Sequence, residues 1–376
     1  MSQLGKLAGV TALVLASAVL FATVAQRKMR DFEVYWAAGA RAAVAEPLYR
    51  ATDGHYRFKY LPAFAVAVSP LSRVTLPAAK AIWIALSVFC LAALVWVSVS
   101  IVPESSLSRR ALAALTVAAM AKFYAHELVL GQANLLFGAL CVAALGALLR
   151  GRDAAGGAAF GAAILVKPYA VAFVPYLLAV RRWRAAAAAA LAGVAVAALP
   201  VVVYGVSGTI ALTRAWWQTA SETSVPLLTN ADSISVFAMY AKWIGWGTAA
   251  ATLSAATIGV LAAACVVALA RRGGVRSPEV LEVGMALTLI PLVTPQGWDY
   301  ALLLSTPLVA LLIAQAARLP RGERAVFIVA LLAVALSLYD VMGRAAYARF
   351  MSLAIITVCY LAILAVAVRV RLRRAA

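Results

Sequence analysis

The chain alternates long apolar windows with short polar segments that are mostly basic. Apolar windows run near 4–25, 78–100, 111–126, 132–149, 154–180, 185–205, 247–270, 279–294, 300–317, 325–342 and 350–368. At ~1.5 Å per residue, about twenty apolar residues in a helix cross the hydrocarbon core of a bilayer. The pattern predicts an all-α polytopic bundle of about 11–12 transmembrane helices. One window differs from the rest. Lys167-Pro168-Tyr169 interrupts 154–180; proline lacks an amide donor and disfavours helix in the residue before it. That window is expected to divide into two short helices that go up and return, with the Lys-Pro-Tyr turn at the opposite face. Irregular backbone at such depth has to be buried in protein or line a wet cavity. Between the first two windows lies a loop of roughly fifty residues, in which Phe32–Val44 repeats apolar residues at helical spacing. It predicts an amphipathic helix lying in the interface.

Composition agrees with this reading. Hydrophobic residues make up 65% of the chain and charged ones 12%, with a mean hydropathy of +0.95. This describes an integral membrane protein. Residues 1–376 read as a single domain with no soluble appendage, linker or internal repeat. The first window reads as a span rather than a cleaved signal peptide, because its apolar core is long and Arg27-Lys28 follows it. The net charge of +19 could suggest nucleic acid, but the basic residues sit in short clusters between apolar windows. Such clusters mark cytoplasmic loops and contact with anionic lipid, so nucleic acid is excluded as a partner. The four cysteines, Cys90, Cys141, Cys265 and Cys359, lie in apolar stretches and suggest neither disulfides nor zinc.

Charge also orients the chain. With the N-terminus inside, the clusters Arg109-Arg110, Arg150–Arg152, Arg181–Arg184, Arg271–Arg276, Arg318–Arg324 and Arg369–Arg374 all become cytoplasmic, as do both termini. The first outer loop departs from the rule, since it carries basic residues from Arg27 to Lys80. Bases retained on the outside are candidate phosphate ligands. On this topology every unusual polar motif reaches the outer face.

The motifs are few. Asp31 and Glu33 follow the first window directly, beside Arg27, Lys28 and Arg30 and the interfacial aromatics Tyr35 and Trp36. A carboxylate at that depth can act on lipid head groups, although a carboxylate at a helix start is also a common N-cap. Tyr49–Pro62 mixes Tyr49, Tyr56, Phe58 and Tyr60 with Arg50, Arg57 and Lys59. That combination suits a sugar face and a phosphate, or equally an aromatic anchor belt. His126-Glu127 and Gly131-Gln132-Ala133-Asn134 mark another outer junction, where Gln132 and Asn134 are placed to bridge helices or to bind a hydroxyl. Lys167 lies at the proline break, where the following helix start adds partial positive charge, and suits a phosphate; the alternative is a lysine snorkelling to the surface. Trp298-Asp299-Tyr300 closes the set, with Asp299 expected to pair across the bundle. Trp216, Trp217, Asn230, Asp232, Trp243 and Trp246 read as a long loop over a lipid groove, and Asp340 with Arg344 as a helix ion pair.

Taken in order, these motifs resemble glycosyltransferase family 87, relatives of the polyprenol-phosphate-mannose-dependent α-mannosyltransferases in the membrane GT-C superfamily. The matching stretches are Asp31–Trp36, Pro47–Tyr49, Phe58–Pro62, Gly131–Leu136, Leu165–Tyr169 with Arg181–Arg184, and Thr294–Tyr300. They cover about the first three hundred residues. The resemblance implies a GT-C-type bundle, a polyprenyl-phosphate-linked sugar donor, no nucleotide sugar, and Asp31 as the catalytic aspartate. Where the mannosyltransferase branch carries a histidine-containing stretch after the tryptophan, this chain reads Asp299-Tyr300. The sugar is thus mannose or another hexose.

The expected site follows from both lines of reading. Asp31 is the base for the acceptor hydroxyl, and Lys167, Arg57 and Lys59 hold the departing phosphate. Glu33, Tyr35, Tyr60, His126, Gln132, Asn134, Tyr169, Trp298 and Asp299 contact substrate. In-line displacement inverts the anomeric centre. Asp31 and Glu33 two apart make a poor metal site, so no metal or cofactor is expected. The expected acceptor is a lipid or glycan at the outer face of the cytoplasmic (inner) membrane. Two rivals remain: a transporter or flippase for a lipid-linked glycan, suggested by the broken window, and a polymerase or ligase using a diphosphate-linked glycan.

Overall fold

The computed structural model describes Val19, residues 28–273 and residues 276–374. The first apolar window, with Arg27, lies outside the described residues apart from Val19. All regular secondary structure among the described residues is helical, as the apolar periodicity predicts. Among the described residues five helices are long and apolar enough to cross a membrane, and a sixth span results if a pair bent by 88° is counted as one. Other expected windows form shorter helices. The described residues group into two compact units, one of those up to 94 and from 125 to 222, the other of those from 95 to 124 and from 223 onward.

In chain order the helices that concern the first unit are α1 (Arg30–Ala43), α2 (Pro62–Val68), α3 (Leu76–Ser100), α4 (Arg109–Leu130), α5 (Asn134–Leu149), α6 (Asp153–Ala163), α7 (Phe173–Ala179), α8 (Trp183–Ala198) and α9 (Val201–Ser224). α1 is the amphipathic helix predicted over Phe32–Val44. It buries Phe32, Tyr35, Ala38, Gly39 and Ala42, a stripe at three- and four-residue spacing. Its apolar face packs on α2 and the short turn after it.

The window 154–180 divides where proline predicts. α6 ends at Ala163, Lys167 is extended (φ −140°, ψ 125°), and a 3-10 turn, Pro168–Ala172, leads into α7. α6 packs closely on α8 because Gly157 and Gly161, one turn apart, present no side chain: a Cβ on either would overlap a backbone carbonyl of Ala185 or Ala189. Arg182 fastens the far end by donating to Asp153 (2.7 Å). The segment around Trp216, read as a loop, is largely helical in α9. Gly205 (φ 65°, ψ 179°) leaves helical angles, so α9 is two helical stretches joined at a kink, with Trp216 in the second.

The second unit contains α10 (Val236–Ile244), α11 (Thr248–Ala270), α12 (Glu279–Val293), α13 (Thr306–Gln315), α14 (Arg321–Ala335), α15 (Tyr339–Met342), α16 (Arg344–Ser352) and α17 (Ile355–Arg374). Several of its arginines serve in ion pairs. Buried Arg371 and half-buried Arg272 pair with Glu282, and Arg373 with Glu323. Asp340 and Arg344 do not form the helix pair expected of them. Gly343 (φ 75°) interrupts the helix between them and removes the four-residue register.

Candidate active site

The site is assembled where α1 begins. Met29, the residue before the helix, is left-handed (φ 63°), and its amide donates to the Val129 carbonyl at the end of α4 (2.9 Å). This ties the start of α1 to the turn that joins α4 to α5. Gly131 in that turn is also left-handed (φ 72°), and a Cβ there would lie 2.9 Å from Cβ of Phe32 and 3.0 Å from Cβ of Met29. Only glycine supplies both the backbone angle and the room. Gly131→Ala should therefore cost about 1–3 kcal/mol, seen as a lower Tm of the purified protein. A Tm at the wild-type value would contradict this packing.

Glu127 shapes the rest of the turn. Its fully buried carboxylate accepts from the backbone amides of Asn134 (2.5 Å) and Leu135 (3.1 Å) and from Asn134 Nδ2 (2.8 Å). These are donors that a helix start leaves unpaired, and a carboxylate among them is favoured by the helix dipole. Asn134, expected at a substrate or between helices, is in fact turned onto this carboxylate. Glu127→Gln keeps one acceptor oxygen and loses the charge, so about 1–3 kcal/mol of stability should go. Chemical or thermal unfolding reads it, and no loss would show that the cap is dispensable.

Asp31 is the second residue of α1 and does not cap it; no side chain caps that end. Its Oδ2 accepts from Gln132 Nε2 (2.7 Å). Gln132 Oε1 in turn accepts from the Tyr60 hydroxyl (2.8 Å) and lies 2.8 Å from the Tyr35 hydroxyl, which is 2.7 Å from that of Tyr60. The two tyrosine rings meet edge to face at 4.8 Å, and Phe64 stacks on Tyr60 at 4.7 Å. Lys167 Nζ stands over the Tyr60 ring, 4.4 Å from its centre, a favourable place for a cation.

The electrostatics at Asp31 are mixed. Burial raises its carboxyl above the ordinary aspartate value. The Gln132 hydrogen bond opposes the rise, followed by the charges of Lys167, Lys59 and His126. Lys59 is pushed down by its own burial and back up by Asp31. Two or more cations thus face one carboxylate at the end of an aromatic wall, an arrangement able to hold an anion and to take up a proton beside it.

The structure brings together Asp31, Tyr35, Lys59, Tyr60, His126, Gln132 and Lys167, with exposed Tyr169 close to Tyr60. Others have different partners. Glu33 lies on a different face of α1, where it accepts from the Lys80 ammonium (2.7 Å) and pairs with Arg30 (3.2 Å). Arg57 pairs with Glu222 (3.6 Å), and Trp216 donates to the Lys59 carbonyl (3.1 Å), so α9 holds the Phe58–Tyr60 stretch in place. Trp298 and Asp299 belong to the second unit. There the Asp299 amide donates to the Asp232 carbonyl (3.0 Å), and its carboxylate lies 3.8 Å from Lys122. The partner expected for Asp299 across the bundle is thus Lys122 on α4.

Glu127, Lys80 and Trp216 support the site, a role that the sequence does not assign to them. For the first two a signal exists: an acid at the end of an apolar window, or a lysine inside one, needs a partner. On the face of α1 that carries Glu33, Arg30, Glu33 and Arg41 face Asp53 and Tyr56 across a cleft of about 250 Å³. Arg41 closes one side by gripping Asp53 with both guanidinium nitrogens (2.5 and 2.8 Å). Among the described residues there is no group of three or more His, Cys, Asp or Glu arranged for a metal ion.

Several helices long and apolar enough to cross a membrane define a polytopic membrane protein. The family model for glycosyltransferase family 87 matches residues 58–295, and the chain belongs to that family. It is a membrane glycosyltransferase, which takes a sugar donor and an acceptor. The matched region includes Lys59, Tyr60, His126, Gln132, Asn134, Lys167 and Tyr169; it begins after Asp31 and ends before Trp298. No curated protein and no solved structure matches the chain.

Proposed function

We propose that this glycosyltransferase is inverting and moves mannose or another hexose from a polyprenyl-phosphate donor to a lipid or glycan acceptor. The reaction takes place at the outer face of the cytoplasmic membrane, with both termini inside and the whole chain acting as one GT-C-type unit. The observation that carries the reading is the Asp31 carboxylate, half-buried and held by Gln132 beside Lys167 and Lys59. Asp31 takes the proton from the acceptor hydroxyl as that oxygen attacks the anomeric carbon. The bond from that carbon to the phosphate oxygen breaks, and polyprenyl phosphate leaves with the electron pair. Lys167 and Lys59 stabilise the phosphate as it departs, and Arg57 joins them by exchanging Glu222 for it.

The test compares donor classes. Purified protein in lipid nanodiscs is given a hexose as its polyprenyl phosphate or as its nucleotide diphosphate. Release of polyprenyl phosphate from the first, with no turnover of the second, supports the reading. Turnover of the nucleotide sugar, or passage of intact donor across a vesicle without cleavage, overturns it.

A further inference from the structure

Among the side chains around Asp31, Gln132 takes no part in the transfer chemistry, yet it makes the hydrogen bond that fixes the carboxylate. We propose that Gln132 is a positioning residue: it holds Asp31 with Oδ2 engaged and Oδ1 turned to the acceptor, and the Tyr35 and Tyr60 hydroxyls lock its amide in the one orientation that does so. The proposal rests on Asp31 as the base.

The two ends of a glutamine amide are almost the same shape and opposite in function. With the nitrogen towards Asp31, a donor meets the carboxylate. With the oxygen there, lone pairs would meet lone pairs and the base would be pushed away. The choice is made at the other end. Tyr60 donates to Oε1, and the Tyr35 hydroxyl lies at hydrogen-bond distance from both Oε1 and Tyr60. The Tyr60 proton meeting this atom marks it as the oxygen, which sends Nε2 to Asp31. The backbone is fixed as well: the Gln132 amide donates to the Glu127 carbonyl (3.1 Å), and the Glu127 carboxylate caps the helix that follows. Asp31 Oδ1 accepts no hydrogen bond from the described residues. The charged groups facing Asp31 are Lys59 from the loop before α2, His126 from α4 and Lys167 from the proline break, with Arg30 and Glu33 on its own helix. None of these is altered by substituting Gln132 or the tyrosines, so a change in Asp31 titration isolates the amide.

The experiment needs no substrate. The full chain, with aspartate side-chain carboxyls labelled in 13C, is titrated in nanodiscs by NMR. There are six aspartates, and Asp31→Asn identifies the resonance. In Gln132→Leu the Asp31 midpoint should rise by about one to two pH units, the size expected for losing a hydrogen bond to a charged group. In the double variant Tyr35→Phe and Tyr60→Phe, which keeps both rings, the amide loses its lock; the midpoint should rise by less, and the resonance should broaden or split. If Gln132→Leu does not fold, the double variant decides alone. Midpoints and line shapes at wild-type values in the variants that fold would overturn the proposal. With an active donor, kcat should fall about 10- to 100-fold in Gln132→Leu at unchanged donor KM, and wild-type kcat would overturn it too. A chain that cleaves no polyprenyl-phosphate sugar would refute the proposed function but leave the NMR result to judge Gln132.

Discussion

Asp31→Asn should fold, bind donor and transfer sugar about 10²–10⁴-fold more slowly than the wild type, the range that general-base contributions span. Asparagine keeps the shape of the side chain and can still meet Gln132, but it takes up no proton. The acceptor hydroxyl would then have to attack without losing its proton to a fixed base. Glu33→Gln is the comparison, since it stands two residues away on the same helix. Its carboxylate is engaged by Lys80, which is buried at 4% exposure, and by Arg30. Loss of that charge should loosen the start of α1 and lower the rate less than loss of Asp31. If Asp31→Asn transfers at wild-type rate while Glu33→Gln is inactive, the base is Glu33. If both stay active, neither carboxylate is the base.

Lys167→Ala should weaken donor binding by about 2–5 kcal/mol, the cost of removing one partner of a desolvated charge pair, with acceptor binding much less affected. The lysine sits at the proline break with its ammonium over Tyr60 and its charge near both Glu127 and Asp31. A leaving phosphate would add a third anion to those two, and the ammonium is the group that offsets it. Arginine is not an equivalent replacement, because its planar fork would not sit over the ring in the same way. A Lys167→Ala protein that folds and keeps donor affinity would show that the lysine only anchors Tyr60.

Much of this architecture is legible in the residues themselves. The helical class follows from the apolar windows, the break at Lys167 from the following proline, and the amphipathic α1 from the spacing of Phe32, Tyr35, Ala38 and Ala42. That Asp31, Gln132, Lys167 and the Tyr35–Tyr60 pair form one site is only half legible. Each stands out as polar matter beside an apolar window, but Asp31 and Gln132 are 101 residues apart, and nothing local says that they meet. The roles of Glu33, Asn134 and Arg57 are less legible still. A carboxylate, an amide or a guanidinium in an outer segment looks the same whether it waits for substrate or is already paired. Their partners Lys80, Glu127 and Glu222 come from tertiary packing. Trp216 reads as loop in the sequence because tryptophan at an interface carries no helical signal of its own.

The pH–rate profile of sugar transfer, measured for the wild type and for Asp31→Asn in the same nanodiscs, tests the catalytic claim most directly. A base works only when ionised, and burial lifts the Asp31 carboxyl above 3.8. Wild-type activity should therefore fall as the pH drops through an acidic limb whose midpoint lies above that value. The slow residual transfer of Asp31→Asn should show no such limb. The same acidic limb in both proteins would assign it to another group and contradict Asp31 as the base.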